Sequence, residues 1–204
     1  MKVQNSFGRT RVTVDRLEGE EADDTNNQAF MSAIASATKS NPHARWQMTL
    51  GLIKPTICSY QPDVSTILKR IKKTNPDVHI VRQKRLFWKT EDAEQFYAEH
   101  KGKFYYDRLI AGMTSGPSIA LALAGPNVIQ DWRAMLGPTK AYKAKWEQPD
   151  CLRAIYGLGD TRNGFHGSDS TSSATRELGQ VFEGFAFEAW LADQQSPSLR
   201  TEDA

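Results

Sequence analysis

The chain predicts a single α-and-β domain built around one small sheet, and three observations carry that expectation. Strand-like apolar runs, MTLGLI at 48–53, VHIVRQKRLFW at 78–88 and SIALALA at 118–124, stand apart along the chain. The segments between them repeat their apolar residues with helical spacing. Hydrophobic residues make up 39% and charged residues 25% of the 204, a globular composition at a length that suits one domain plus a tail. Strands alternating with helices in one small sheet fit either a parallel doubly wound fold or a split βαβ sheet with helices on one face, and periodicity leaves both open.

MTLGLI alternates and ends at Lys54-Pro55, where proline lacks the N–H that a central strand needs, so a turn follows. Pro62 opens a helix over PDVSTILKRIKK, with Val64, Ile67, Leu68 and Ile71 on one face and a basic end that complements the helix dipole. After the turn TNPD, VHIVRQKRLFW is a strand with a solvated, charged face. Thr90 followed by Glu91, Asp92 and Glu94 marks a helix start through EDAEQFYAEH, and GKFYYDRLIAGMTSGP supplies a second helical piece stopped at Ser115-Gly116-Pro117. SIALALA is short and apolar, as a buried strand is, and GPNVIQDWRAMLG is a helix closed by Gly137. LRAIYG is a short segment standing where the order of elements leaves room for a fourth strand. STSSATRELGQVF is a last helix with caps available at Ser168, Asp169 and Ser170.

Residues 1–44 read differently. VDRLEGEEADDTNNQ cannot bury enough apolar area to offset the entropy of ordering, so this extension is expected to be disordered. MSAIASATKSNPHARWQ, rich in serine and alanine and free of acids, is a weak presequence signature and reads better as a small-residue linker. The folded domain is expected at 45–192, with a polar tail at 193–204. A net charge of +2 sets up no strong field toward nucleic acid or an anionic membrane, and neither is expected as a partner. Cys58 and Cys151 lack metal or disulfide spacing and read as small buried hydrophobes in a reducing compartment. No run approaches the about 18 apolar residues of a membrane span, so a cytoplasmic location is expected, with a mitochondrial one as the alternative.

RNGFHGSDS at 162–170 poses the chemical question, whether His166 is a reactive group on a shaped loop or an ordinary loop residue. Neither GxxxxGK[ST] nor a GxGxxG after a strand is present, so an anion site would need separate cations. Lys54 just past the first strand, Arg133, Thr139 and Arg153 are candidates, with Tyr105 as a stacking surface, although each alone reads as a solvated side chain. His43, His79, His100 and His166 have no ligand spacing for a metal. Ser168 lacks the strand-turn-helix GxSxG setting of a serine hydrolase.

Taken in order, LIKP at 52–55, FY and KFYY within 96–106, SGP at 115–117, WRAMLGPT at 132–139, LRA at 152–154 and RNGFHGSDS resemble the nucleoside diphosphate kinase family over about residues 47–191. MLGPT, the longer segment before Leu152-Arg153 and the DTRN run at 160–163 look like its divergent second group. The resemblance implies an α+β, ferredoxin-like βαββαβ fold whose four-stranded antiparallel sheet is covered by helices, and usually a homo-hexamer. It implies a phosphotransferase acting on ATP and other nucleoside tri- and diphosphates, with Mg2+ riding on their phosphates. By likeness His166 is the nucleophile, Glu177 and Ser168 hold it, and Tyr97 supports the histidine region. Lys54, Arg133 and Arg153 would neutralise phosphates, Thr139 and Asn163 would bond phosphate or sugar, and Tyr105 stands where a base-stacking phenylalanine is usual. No direct metal ligand is implied, and Asp169 would reach the ion only through water. An imidazole with pKa of about 6.5 is largely neutral near pH 7 and able to attack. Gly164 and Gly167 are expected to take positive φ and leave room for a triphosphate.

The pattern also departs from the family. Thr56 stands where aspartate is usual, ICSYQPD lacks the usual arginine and glycine, and Ala154 replaces a glycine. KAYKAKWEQPDCL, between Thr139 and Arg153, is longer than in the first group. Two functions are thereby framed: an active kinase working by ping-pong through phosphorylated His166, and a catalytically weak nucleotide binder acting mainly as a regulatory or binding partner.

Overall fold

A computed structural model of the protein describes residues 46–195, so the expected disordered extension, the presequence-like stretch up to Ala44 and the tail beyond Gln195 lie outside the described residues. Four strands form one sheet: β1 (Gln47–Ile53), β2 (His79–Phe87), β3 (Pro117–Gly125) and β4 (Phe165–Gly167), in the order β2-β3-β1-β4. Every pairing is antiparallel, which decides between the two topologies that periodicity leaves open. The fold is α+β and ferredoxin-like. β1 and β3 are central and apolar, and β2, at one edge, carries the exposed Arg82, Lys84 and Arg85. Charges on an exposed edge discourage pairing with other chains.

Helices pack on both faces of the sheet. Two crossover helices, α2 (Gln61–Thr74) and α5 (Val128–Leu136), cover one face. There Ile67, Ile71, Val128, Trp132 and Leu136 meet Ile53, Ile119, Leu121, Leu123 and Phe165. The other face takes Leu50, Leu52, Ala120 and Ala122 against α3 (Thr90–Phe96), α4 (Tyr106–Thr114), α8 (Thr171–Val181) and the first residue of α9 (Phe187–Gln195). Pro55, which ends β1, is also the first residue of a one-turn helix α1 (Pro55–Cys58), because its fixed φ suits a helix start as well as it disrupts a strand.

Several elements differ from the sequence reading. LRAIYG is a helix, α7 (Leu152–Tyr156), while the fourth strand lies inside RNGFHGSDS. Strand propensity is weak across a three-residue edge, and pairing with β1 is what makes it a strand. The longer segment before Arg153 folds as α6 (Ala141–Glu147), which packs Ala144 against Cys151, the residue before α7, and Ala154 within it. The helix through EDAEQFYAEH stops at Phe96, and a 3-10 turn at Ala98–His100 follows Tyr97. The C-terminal helix α9 extends to Gln195. Among the described residues no helix is long and apolar enough to cross a membrane.

Candidate active site

The register of β4 aims His166. Leu52 pairs with His166 and Ile53 with Phe165, so Phe165 points into the α2/α5 core and His166 to the opposite face, beside α3 and α8. α8 is capped by Ser170, whose Oγ accepts from the Ser173 N–H, and presents Ala174, Leu178 and Val181 to the core. Glu177 sits in that same apolar stripe and is only 4% exposed. A buried carboxylate is costly unless hydrogen-bonded, and its partners are at hand. Glu177 Oε2 lies 2.7 Å from His166 Nε2 and accepts from Ser168 Oγ at 2.7 Å, while Arg176 Nη2 approaches Oε1 at 3.4 Å. Ser168 Oγ in turn accepts from the Leu50 N–H at 3.2 Å, tying the carboxylate to the central strand. An ionised carboxylate only accepts, so the shared proton belongs to His166 Nε2 and the Nδ1 lone pair is left free.

Titration follows from these neighbours. Burial favours the neutral acid at Glu177, but the His166 hydrogen bond and charge, the Ser168 hydroxyl and Arg176 outweigh it and hold the carboxyl below the usual range. His166 is pushed below its ordinary value, first by burial; Glu177 opposes the shift, and Lys54 and Arg153 add to it. The imidazole is therefore neutral at neutral pH, and its side chain keeps 20% exposure.

Lys54, Asn163 and Arg153 gather on the same side. Lys54, at the end of β1, is 9% exposed and donates Nζ to Asn163 Oδ1 at 3.2 Å; Asn163 Nδ2 donates to the Thr139 carbonyl at 3.1 Å. Burial, and then the Arg153 charge, lower the Lys54 ammonium to about 7. Arg153, on α7, is 8% exposed and donates Nη1 to the Gly137 carbonyl at 2.6 Å. Burial and the neighbouring Arg133 lower its guanidinium to about 10. Arg133 is exposed and points Nη1 at the Gly167 carbonyl, 3.4 Å away. Three cations crowd together here, and the carboxylate beside them is already engaged. An anion is the ligand such a cluster suits.

Aromatic rings line the approach. Phe96 meets His166 edge-on at 5.0 Å, Tyr97 meets Phe96 at 5.1 Å, and Lys54 Nζ is 5.9 Å from the Tyr97 ring. The phenol of Tyr97 is raised by burial and by the charge of Glu177. Tyr97 Oη and Arg153 Nε are buried with no hydrogen-bond partner among the described residues. Tyr105 is half-buried, with its ring 5.8 Å from His100, which in turn is 5.8 Å from Tyr97. Thr139 is exposed, and its carbonyl rather than its hydroxyl is what Asn163 engages. Asp169 is exposed; hydrogen bonds from Ser173 and Ser170, with the nearby Arg133, keep its carboxyl low.

One expectation about the loop is corrected. Gly164 has φ +79, but Gly167 does not have positive φ. Gly167 lies in β4, and a side chain there would collide with Trp132, a packing requirement rather than a conformational one. Sequence reading also missed Phe96, Trp132 and Arg176. Each sits beside a residue it did find, but only the tertiary fold reveals their contacts. Glu177 carries a legible signal of its own: a carboxylate in the apolar stripe of an amphipathic helix needs a partner.

Fold and site together define a member of the nucleoside diphosphate kinase family, whose family model matches residues 47–187; the chain belongs to that nucleotide-binding, phosphoryl-transferring family. It is similar to nucleoside diphosphate kinase 6 of Danio rerio, at 42% identity over 154 residues that cover 76% of this chain and 86% of that one. The Homo sapiens protein of the same name is 41% identical over 154 residues, covering 76% of this chain and 81% of its own. Among solved structures, the Aquifex aeolicus nucleoside diphosphate kinase aligns with a TM-score of 0.64 and 30% identity, over 68% of this chain and 96% of that one. The likeness to nucleoside diphosphate kinase 6 bears out the divergent membership anticipated from MLGPT and the DTRN run.

Proposed function

We propose that the protein moves the terminal phosphoryl group of a nucleoside triphosphate to a nucleoside diphosphate through phosphorylated His166. The observation that carries this reading is the placement of His166, its Nε2 2.7 Å from Glu177 Oε2, with the buried Lys54 and Arg153 close enough to act on its charge. In the first half-reaction the Nδ1 lone pair attacks the γ-phosphorus, a P–N bond forms, and the bond to the bridging oxygen breaks, releasing the diphosphate. The positive charge that develops on the imidazole is shared with Glu177 through the existing hydrogen bond. In the second half-reaction a terminal oxygen of the acceptor diphosphate attacks the phosphorus, and the ring recovers its lone pair.

The transfer passes through a loose transition state with charge on the phosphoryl oxygens, so the protein contributes mainly positioning and compensation of charge. Lys54, Arg133 and Arg153 are assigned to the phosphates, Asn163 and Thr139 to phosphate or sugar, and Tyr105 to the base. Tyr97 Oη and Arg153 Nε, which have no partner among the described residues, are donors available to the ligand. Base stacking is tolerant of base identity, which fits broad nucleotide use. No group of three metal-binding side chains occurs among the described residues, and this donor set suits a Mg2+ carried by the nucleotide, with Asp169 at the rim able to meet it through water. When bound, the ion would neutralise phosphate oxygens.

A second reading, a slow nucleotide binder acting on a partner, is favoured by α6 and by the changes at Thr56 and Ala154. Incubation with γ-labelled ATP separates the two. Acid-labile label on wild type, absent from His166→Ala and chased off by a nucleoside diphosphate, is expected; nucleotide binding with no label on wild type would establish the second reading instead.

A further inference from the structure

Gly51 and Gly167 face each other across β1 and β4, leaving a stretch of sheet without side chains on the α5 face. The indole of Trp132 fills it. A Cβ on Gly51 would lie 3.2 Å from Trp132 Cε2, and one on Gly167 would lie 2.6 Å from Trp132 Cδ1, so any side chain at Gly167 would expel the ring. Trp132 is fully buried, and a buried indole N–H needs an acceptor. It donates to the main-chain carbonyl of His166 at 3.1 Å. The next residue of the same helix, Arg133, points at the next carbonyl, Gly167 O, at 3.4 Å.

Among the described residues β4 is an edge strand of three residues paired with β1 alone, and a strand that short has few ladder bonds to hold its position. Support from a side chain beneath it then matters. We propose that Trp132 is a positioning residue for phosphoryl transfer: its indole N–H, seated in the gap between Gly51 and Gly167, fixes the main chain of His166 against the helix that carries Arg133. The inference rests on the transfer reading above. Trp132 is buried on the face of the sheet opposite the imidazole ring; it sets the spacing between the nucleophile and a phosphate cation, and keeps the ring in register with Glu177.

The test compares wild type with Trp132→Phe and with a chain carrying 3-benzothienylalanine at position 132, which keeps the bicyclic shape but has no N–H. Single-turnover labelling of His166 at saturating ATP and Mg2+, the KM for ATP, and 15N spectra of the imidazole are measured on the full chain. Both variants are expected to label about tenfold to a hundredfold more slowly, as a misplaced nucleophile does, with KM little changed and with Nδ1 acquiring proton character. A benzothienylalanine chain that labels at the wild-type rate with an unaltered ring tautomer overturns the proposal, and it decides the matter should Trp132→Phe fail to fold. Wild type that takes no label sinks the transfer reading alone. The ring tautomer of the benzothienylalanine chain against wild type then judges the strut.

Discussion

At His166 burial, Lys54 and Arg153 push the pKa down while Glu177 pushes it up, and the first group prevails. The neutral ring is the nucleophile, so kcat/KM should fall on the acid side only as pH drops through a value below the ordinary 6.5. Lys54 acts with the opposite sign. Its charged form binds phosphate, and with the ammonium lowered to about 7 the free protein loses that charge as pH rises through this value. A bell-shaped kcat/KM profile is expected, with its alkaline limb near 7, while the alkaline limb of kcat lies higher because a bound polyphosphate favours the charged lysine. Lys54→Arg should remove the alkaline limb, since a guanidinium does not titrate there. An alkaline limb unmoved in that variant would take Lys54 out of the pH dependence. At this scale residue types, and the neutral imidazole expected near pH 7, were readable from RNGFHGSDS and LIKP, but the shifts at His166 and Lys54 were not, because these depend on burial and on groups far away in sequence.

Gly164 couples two elements. Its carbonyl accepts from the Lys54 N–H at 2.8 Å where β1 ends, its φ is +79, and a Cβ would lie 2.4 Å from Ile57 Cδ1 on α1. Gly164→Ala should cost about 1–3 kcal/mol from the left-handed backbone and the collision together, measurable by urea unfolding, and should slow labelling of His166. Adding Ile57→Ala opens space for the methyl, so the labelling rate should partly recover; no recovery would show that the backbone conformation alone is responsible. α6 shows how far local reading reaches. Ala144, Cys151 and Ala154 make a small-residue contact that seats α7 and hence Arg153, so Ala154 is used in packing. The extra length was visible in the sequence, but the helix and its seat were not. Alanine and lysine favour a helix there without saying what it packs against.

The sheet separates two apolar layers, yet both layers share its strands. Ile67→Ala on α2 and Leu178→Ala on α8, each removing a buried side chain from a different layer, should each cost about 2–5 kcal/mol and shift one common unfolding transition. Two separate transitions by circular dichroism and tryptophan fluorescence would contradict a single cooperative unit. The sequence by itself determined the residue types of the site, the long strands β1 to β3 and the crossover helices, because periodicity and turn residues act locally. The family resemblance implied an antiparallel sheet and a shared role for Lys54, Arg133 and Arg153, but only the tertiary structure decided the order β2-β3-β1-β4, the short strand that turns His166 toward Glu177, and the burial that brings Lys54 and Arg153 beside it. Each of these depends on contacts between residues distant along the chain, and pairing, burial and charge energies arise only once the chain has brought them together.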